Sequence, residues 1–488
     1  MSEMWKIIAG YAINVVYLVL LIFFGEFLNK KCNLDSLKSR KIMHLLTGAS
    51  WIVCYIFFGA TIHLFLTAIG CLIALIFLTF SVKLESASRD NDKYSLGLIY
   101  YGVSVVILSG VVCFCNQSWF AYYGIAYYFL ALADGFAPLV AKAVNKDKNP
   151  EIYKGKTLYG TLTVFTISLL VAALFNFIFD LQLSLLFLIS LASLSAIMEI
   201  FGAKGTDNLT IPLVVFAYLV LNSLGQITFA IELSLALSIL YLSFAGITKS
   251  LTFSASFVSF IYVVGTATFG GLEAVVMVFA LYIIAAIVSA ISTKKFNQIT
   301  KEVKAKTIRK SKQIFANSSV AFVLTIIYFI TKETIFLFAS FAVLAEEFAD
   351  SLASDIGRLS KQHPIDILKF KKVKPGISGG ISLLGVISAL IASFVATSIP
   401  FAFFITEWKA LLVVLGVSFV GMFIDSILGS SFQVLYRCPV CGEQTEKPIH
   451  CKVTAEQIKG CKVIDNSMVN LLTGVLTGGL AIVFLMLV

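Results

Sequence analysis

Ala133-Asp134-Gly135-Phe136-Ala137 ends one long apolar run, and Lys156-Thr157-Leu158-Tyr159-Gly160-Thr161 opens the next. A carboxylate at the end of an apolar span is costly and marks function by default. The lysine-threonine turn that follows lies on the same side of the bilayer. Read outward from this pair, the chain is a series of membrane helices. Apolar stretches of about 20 residues, the length that crosses a hydrocarbon core, recur along it. They number about fifteen or sixteen and predict an all-α, polytopic integral membrane protein in two bundles. The first span, about Ile8 to Phe27, is too long for a cleavable leader and is expected to be retained.

Composition agrees. The 488 residues are 59% hydrophobic and 13% charged, with a mean hydropathy of +0.94, which no soluble domain of this size could bury. The net charge of +10 does not point to nucleic acid, because the cations sit in loops. Lys30, Lys31, Lys38, Arg40 and Lys41 form one cluster, and Lys142 to Lys156 a second. Lys294 to Lys312 and Arg358 to Lys374 complete the set. The positive-inside rule places all four in the cytoplasm and both termini outside.

Five of the nine cysteines lie in or beside spans; the other four share one loop, as Cys438-Pro-Val-Cys441, Cys451 and Cys461, with His450 alongside. The first pair has zinc-knuckle spacing, so the four sulfurs are a candidate structural zinc site.

The chain is expected to divide near residue 245. In residues 1–245, Arg40, His44 and Gly48 share one helix face at i, i+4, i+8. Gly135 permits close backbone approach to a ligand, and the helix start at Lys156-Thr157 offers free N–H groups to an anion. Gly155-Lys156-Thr157 is not a P-loop, because Pro150 stands where the first glycine belongs and no strand precedes it. Glu199 closes a later span. In Asp207-Asn208-Leu-Thr-Ile-Pro212 the first two residues either cap a helix or bind ligand.

Taken in order, Arg40-Lys41-x-x-His44, Ala133-Asp134-Gly135-x-Ala137, Lys156-Thr157-x-x-Gly160-Thr161 and Asp207-Asn208-Leu-Thr-x-Pro212 resemble the CTP-dependent prenol kinases, the phytol and dolichol kinase family related to phosphatidate cytidylyltransferase. The resemblance implies transfer of a γ-phosphate from CTP or a similar nucleotide to an isoprenoid alcohol. Pro138, Ala141 and Asn145 depart from the family, which commonly has an acid and two glycines there. On this reading Asp134 holds magnesium, with Asp207 as second ligand. Lys156 and Arg40 neutralise the phosphoryl group, His44 or Asp134 accepts the hydroxyl proton, and Lys41, Thr157 and Asn208 contact nucleotide.

Residues 246–488 carry a second set. Glu347, Asp350 and Ser354 share a helix face, with Glu346 and Asp355 nearby. Acids this dense invite a hard divalent cation such as magnesium. Lys374-Pro375-Gly376-Ile-Ser378-Gly379-Gly380 is a glycine-rich turn able to cradle phosphate. Asp425 lies alone inside an apolar span. Together with Asn317, the Cys438–Cys461 loop and Asn466 to Asn470, these residues resemble the family of phytyl-phosphate kinase and transmembrane protein 19. The resemblance implies phosphorylation of an isoprenoid monophosphate to the diphosphate. Glu347, Asp350, Asp355 and Asp425 would then organise metal, with Asp350 and Asp425 central to catalysis, while Arg309, Lys312 and Lys374 hold phosphate.

The expectation is a bifunctional membrane kinase acting on isoprenoid alcohol and its phosphate at the cytoplasmic lipid boundary, with no nucleic-acid partner. The competing readings are a CDP-lipid-forming cytidylyltransferase and a lipid or ion transporter.

Overall fold

The computed structural model describes residues 3–32, 34, 36–81, 96–144, 148–202, 205–300, 308–375 and 377–488. The chain forms two compact units, Met1–Lys249 and Ser250–Val488.

The first unit contains α1 (Glu3–Lys30), α2 (Ser36–Leu46), α3 (Gly48–Phe57), α4 (Ile62–Ser81), α5 (Leu96–Phe114) and α6 (Phe120–Tyr128). A π-helical turn, Phe129–Asp134, joins α6 to α7 (Gly135–Ala143). A small hairpin follows, β1 (Glu151–Tyr153) and β2 (Lys156–Thr157), and then α8 (Leu158–Phe179), α9 (Leu185–Phe201), α10 (Asp207–Ser223) and α11 (Phe229–Ile247). Helix starts obey local chemistry: the Ser184 hydroxyl accepts from Phe187 N–H at 3.0 Å and Thr228 from Ile231 N–H at 3.4 Å, satisfying donors that a helix leaves open. The core of this unit runs along α9, where Ser190, Ala192, Ser193, Ser195 and Ala196 are fully buried. Small residues let helices approach closely in lipid, and their hydroxyls join neighbours. Ser190 meets Tyr218 at 2.8 Å and Ser168 donates to Ser195 at 3.1 Å.

The second unit contains α12 (Phe253–Thr300), α13 (Ser311–Thr331), α14 (Thr334–Gly357), β3 (Ile365–Asp366), β4 (Gly380–Ile381), α15 (Leu383–Phe401) and α16 (Trp408–Ser431). Five short strands make the cysteine-bearing loop: β5 (Leu435–Arg437), β6 (Gln444–Thr445), β7 (Ile449–His450), β8 (Val453–Thr454) and β9 (Glu456–Lys459). The last helix is α17 (Asn466–Leu485). Helix α14 is central, packing against α12, α13, α15, α16 and α17. Its Ala339, Ala342, Ala345 and Ala349 are fully buried, as are Ala389, Ala392 and Ala396 of α15.

The outer apolar side chains face outward, as lipid demands; Phe177 is 86% exposed. Eleven helices among the described residues are long and apolar enough to cross a membrane, against about fifteen or sixteen expected. The difference has three sources. Gly271 (φ 76°, ψ −165°) breaks α12 into two helices within one 48-residue run. Helices α9 and α10 have 17 residues each. Four acids in α14 lower its hydropathy. The protein is an all-α polytopic membrane protein.

Candidate functional site

In the first unit, the π turn delivers Asp134 to the bundle interior, where it is 4% exposed. Such a turn inserts an extra residue into a helix and is common at functional sites. Lys41 of α2 reaches its carboxylate at 2.6 Å and its backbone carbonyl at 3.1 Å. His44 lies one turn deeper, with Nδ1 3.5 Å from the same carboxylate oxygen. Nε2 of His44 is buried without a hydrogen-bond partner, and the ring stacks edge-on against Tyr101 at 5.4 Å. Arg40 is within electrostatic reach of His44.

Lys156 leaves β2 toward the same region. Its ammonium bonds Glu199 at 2.6 Å and Asp207 at 3.3 Å, and it is within electrostatic reach of Asp134. Burial opposes its charge, yet Glu199, Asp207 and Asp134 outweigh this and hold it protonated above the ordinary lysine range. The second oxygen of Glu199 is buried without a partner. Asp134 and Asp207, expected as magnesium ligands, are thus each occupied by a lysine. Thr157 acts as the N-cap of α8, accepting from Gly160 N–H at 3.4 Å. The Asn208 amide donates to the Gly97 carbonyl at 2.8 Å and ties α10 to α5 instead of facing nucleotide. Glu199 is the residue that sequence reasoning left out of the site; its signal is an acid at the end of an otherwise apolar helix.

In the second unit, Glu346, Glu347 and Asp350 of α14 meet Asp425 of α16. Asp425, Asp350 and Glu347 are all within electrostatic reach of Glu346, which is 4% exposed. Asn317 donates to Glu347, Asn470 donates to Asn317 at 3.3 Å, and Thr473 donates to Asp425 at 3.3 Å. Among the described residues no lysine or arginine forms an ion pair with these four acids; the nearest cation, Arg309, acts on Glu347 through space. Asp355, further along α14, is within electrostatic reach of Asp350, while its carboxylate pairs with Arg358. Lys312 pairs with Asp465 at 2.5 Å and Lys374 approaches Glu443 at 3.9 Å, both at the exposed surface.

The glycine-rich turn is differently used than the sequence suggests. Gly376 lies outside the described residues. Gly379 (φ +85°) packs on Ser430, and Gly380 pairs in β4 with Asp366. The Ser378 N–H and hydroxyl, which an anion would need, both donate to Glu446, at 3.1 and 2.6 Å. In the cysteine loop, the sulfurs of Cys438, Cys441 and Cys451 and a ring nitrogen of His450 all lie within 4.8 Å of one another. Cys461 is not in that group. Its N–H bonds the Phe432 carbonyl at 3.0 Å, which ties it to the end of α16.

A phytol kinase of Synechocystis sp. is 30% identical over 204 residues, which cover 40% of this chain and 84% of that protein. This chain belongs to a prenol kinase-like membrane family. Protein PGR of Arabidopsis thaliana is 33% identical over 139 residues, 26% of this chain; the match spans about half of that relative, 47% of its length. Residues 236–478 match the family described as integral membrane protein DUF92. No solved structure matches.

Proposed function

We propose that the chain phosphorylates an isoprenoid alcohol to its monophosphate in the first unit and the monophosphate to the diphosphate in the second, at the cytoplasmic lipid boundary, with CTP or a similar nucleotide as donor. The similarity to a phytol kinase supports the first activity. The observation that carries it is half-buried His44 3.5 Å from buried Asp134, with Nε2 of His44 left without a hydrogen-bond partner. A neutral imidazole whose Nδ1 faces a carboxylate can take a proton at Nε2, and the carboxylate stabilises the imidazolium that forms. The alcohol oxygen then bonds to the γ-phosphorus, the bond from that phosphorus to the bridging oxygen breaks, and CDP leaves. Phosphoryl transfer needs chiefly positioning and charge neutralisation; Lys156 and Arg40 supply the charge. In the first unit Asp134 pairs with Lys41 and Asp207 with Lys156, so magnesium at either carboxylate would have to displace a lysine.

The second unit fits magnesium better. Buried Glu346 and half-buried Glu347, Asp350 and Asp425 are oxygen donors without an ion-pair partner among the described residues, and a hard cation would relieve their repulsion. Bound there, magnesium would neutralise phosphate oxygens. Asn317 and Thr473 orient Glu347 and Asp425, and Arg309, within electrostatic reach of Glu347, would meet the incoming monophosphate.

The test is purified protein in detergent with CTP labelled at the γ- or, in a parallel assay, the α-phosphate, a panel of isoprenoid alcohols and lipid chromatography. Labelled lipid monophosphate followed by diphosphate supports the reading. Label transferred only from the α-position, with release of pyrophosphate, would instead mean a cytidylyltransferase.

A further inference from the structure

The cysteine loop holds a site that the kinase reading does not use. Cys438 follows β5, and its turn is closed by Gly442 N–H on the Cys438 carbonyl at 2.9 Å, with Gly442 at φ +71°. The second half is the tip of the β7–β8 hairpin, where His450 is followed by Cys451 (φ +51°) and Lys452 (φ +62°). Two consecutive non-glycine residues in the left-handed region are strained and persist only where their surroundings enforce it. The Nδ1 atom of His450 is 3.4 Å from the sulfurs of both Cys441 and Cys451. Zinc bonds of about 2.3 Å to sulfur and 2.0–2.1 Å to nitrogen place tetrahedral nitrogen and sulfur ligands about 3.6 Å apart, close to the two 3.4 Å His450–sulfur contacts, and all four donors lie within 4.8 Å of one another.

We propose that Cys438, Cys441, His450 (through Nδ1) and Cys451 form a closed structural zinc site. Its role is to clamp the loop so that Glu446, which lies between the two ligand pairs, reaches across to the Ser378 N–H and hydroxyl. Glu446 is itself within electrostatic reach of Asp425. Zinc therefore fixes the turn at Ser378–Gly380 beside the acidic cluster without touching it. The proposal stands whatever reaction the acids serve.

The experiment is elemental analysis of the full chain purified in detergent, joined to hydrogen exchange of the segment 377–381. About one zinc per chain is expected, the number a single four-ligand site binds. Zinc should be lost in Cys441→Ser and His450→Ala, restored in His450→Cys and unchanged in Cys461→Ser. Chelating zinc from the unmodified chain should speed exchange at 377–381 several-fold, and Glu446→Gln should do the same with zinc still bound. Zinc that depends on Cys461 and not on His450, or a Cys441–Cys451 disulfide in place of metal, would overturn the site. Unchanged exchange after chelation would overturn the clamp.

Discussion

Lys41 and Asp134 are 93 residues apart in sequence, yet the ammonium of one stands 2.6 Å from the carboxylate of the other inside the first unit. Removing one partner of a buried ion pair leaves an uncompensated charge and typically costs about 3–5 kcal/mol. Lys41→Met should therefore lower the thermal midpoint of the purified protein strongly. Lys41→Met combined with Asp134→Asn should recover much of that loss, because no lone carboxylate remains. Additive losses in the two single and one double variant would argue against the pairing.

Glu199 holds Lys156 at the shorter of its two contacts. Glu199→Gln should slow monophosphate formation about 10²–10³-fold, since removing one group that stabilises transition-state charge commonly costs about 2.7–4 kcal/mol of barrier. Diphosphate formation from supplied monophosphate should be unaffected. Initial rates of the two half-reactions, measured separately, check this.

The membrane class and the helical architecture were legible in the sequence because hydrophobic runs report lipid exposure directly, helix by helix. The partnerships were not. Nothing local tells that Lys41 pairs with Asp134, or that the Asn208 amide is consumed by the Gly97 carbonyl across the bundle. Glu199 was legible only as an acid near a span end, which reads equally as a helix terminus. In the cysteine loop, Cys438-Pro-Val-Cys441 announces the first ligand pair by spacing alone. The second pair depends on a hairpin tip with positive φ angles that selects His450 and Cys451 over Cys461, and only tertiary folding fixes that.

Asp366 supports the Ser378–Gly380 region from below. Burial works against its charge, but the Ser430 hydroxyl at 2.7 Å and the N–H groups of Lys369 and Leu368 outweigh this and hold its carboxyl below the ordinary range. A depressed carboxyl contributes stability above its unfolded value of about 3.9 and loses it as pH falls through the lower folded value. Amide exchange at Leu368 and Lys369, corrected for the intrinsic rate, should stay flat from neutral pH down to about 4 and rise only below it. Asp366→Asn should show faster exchange already at neutral pH.

Gly379 adopts φ +85°, and a Cβ there would come 2.7 Å from the Ser430 Cα. Gly379→Ala combines a left-handed backbone with a backbone clash and should cost at least about 1–3 kcal/mol. It should also speed exchange across 377–381. Gly416→Ala, in α16, faces open space; it should leave exchange at 377–381 unchanged and raise stability by about 0.5–1 kcal/mol, which makes it the control of opposite sign.

Two separate active centres in one chain are distinguished by assaying both half-reactions in Asp134→Asn and Asp350→Asn. Asp134→Asn is expected to abolish phosphorylation of the alcohol while still converting supplied monophosphate to diphosphate, and Asp350→Asn to do the reverse. The step each variant retains shows that it has folded. Equal impairment of both steps in either variant would mean that the two reactions share one centre.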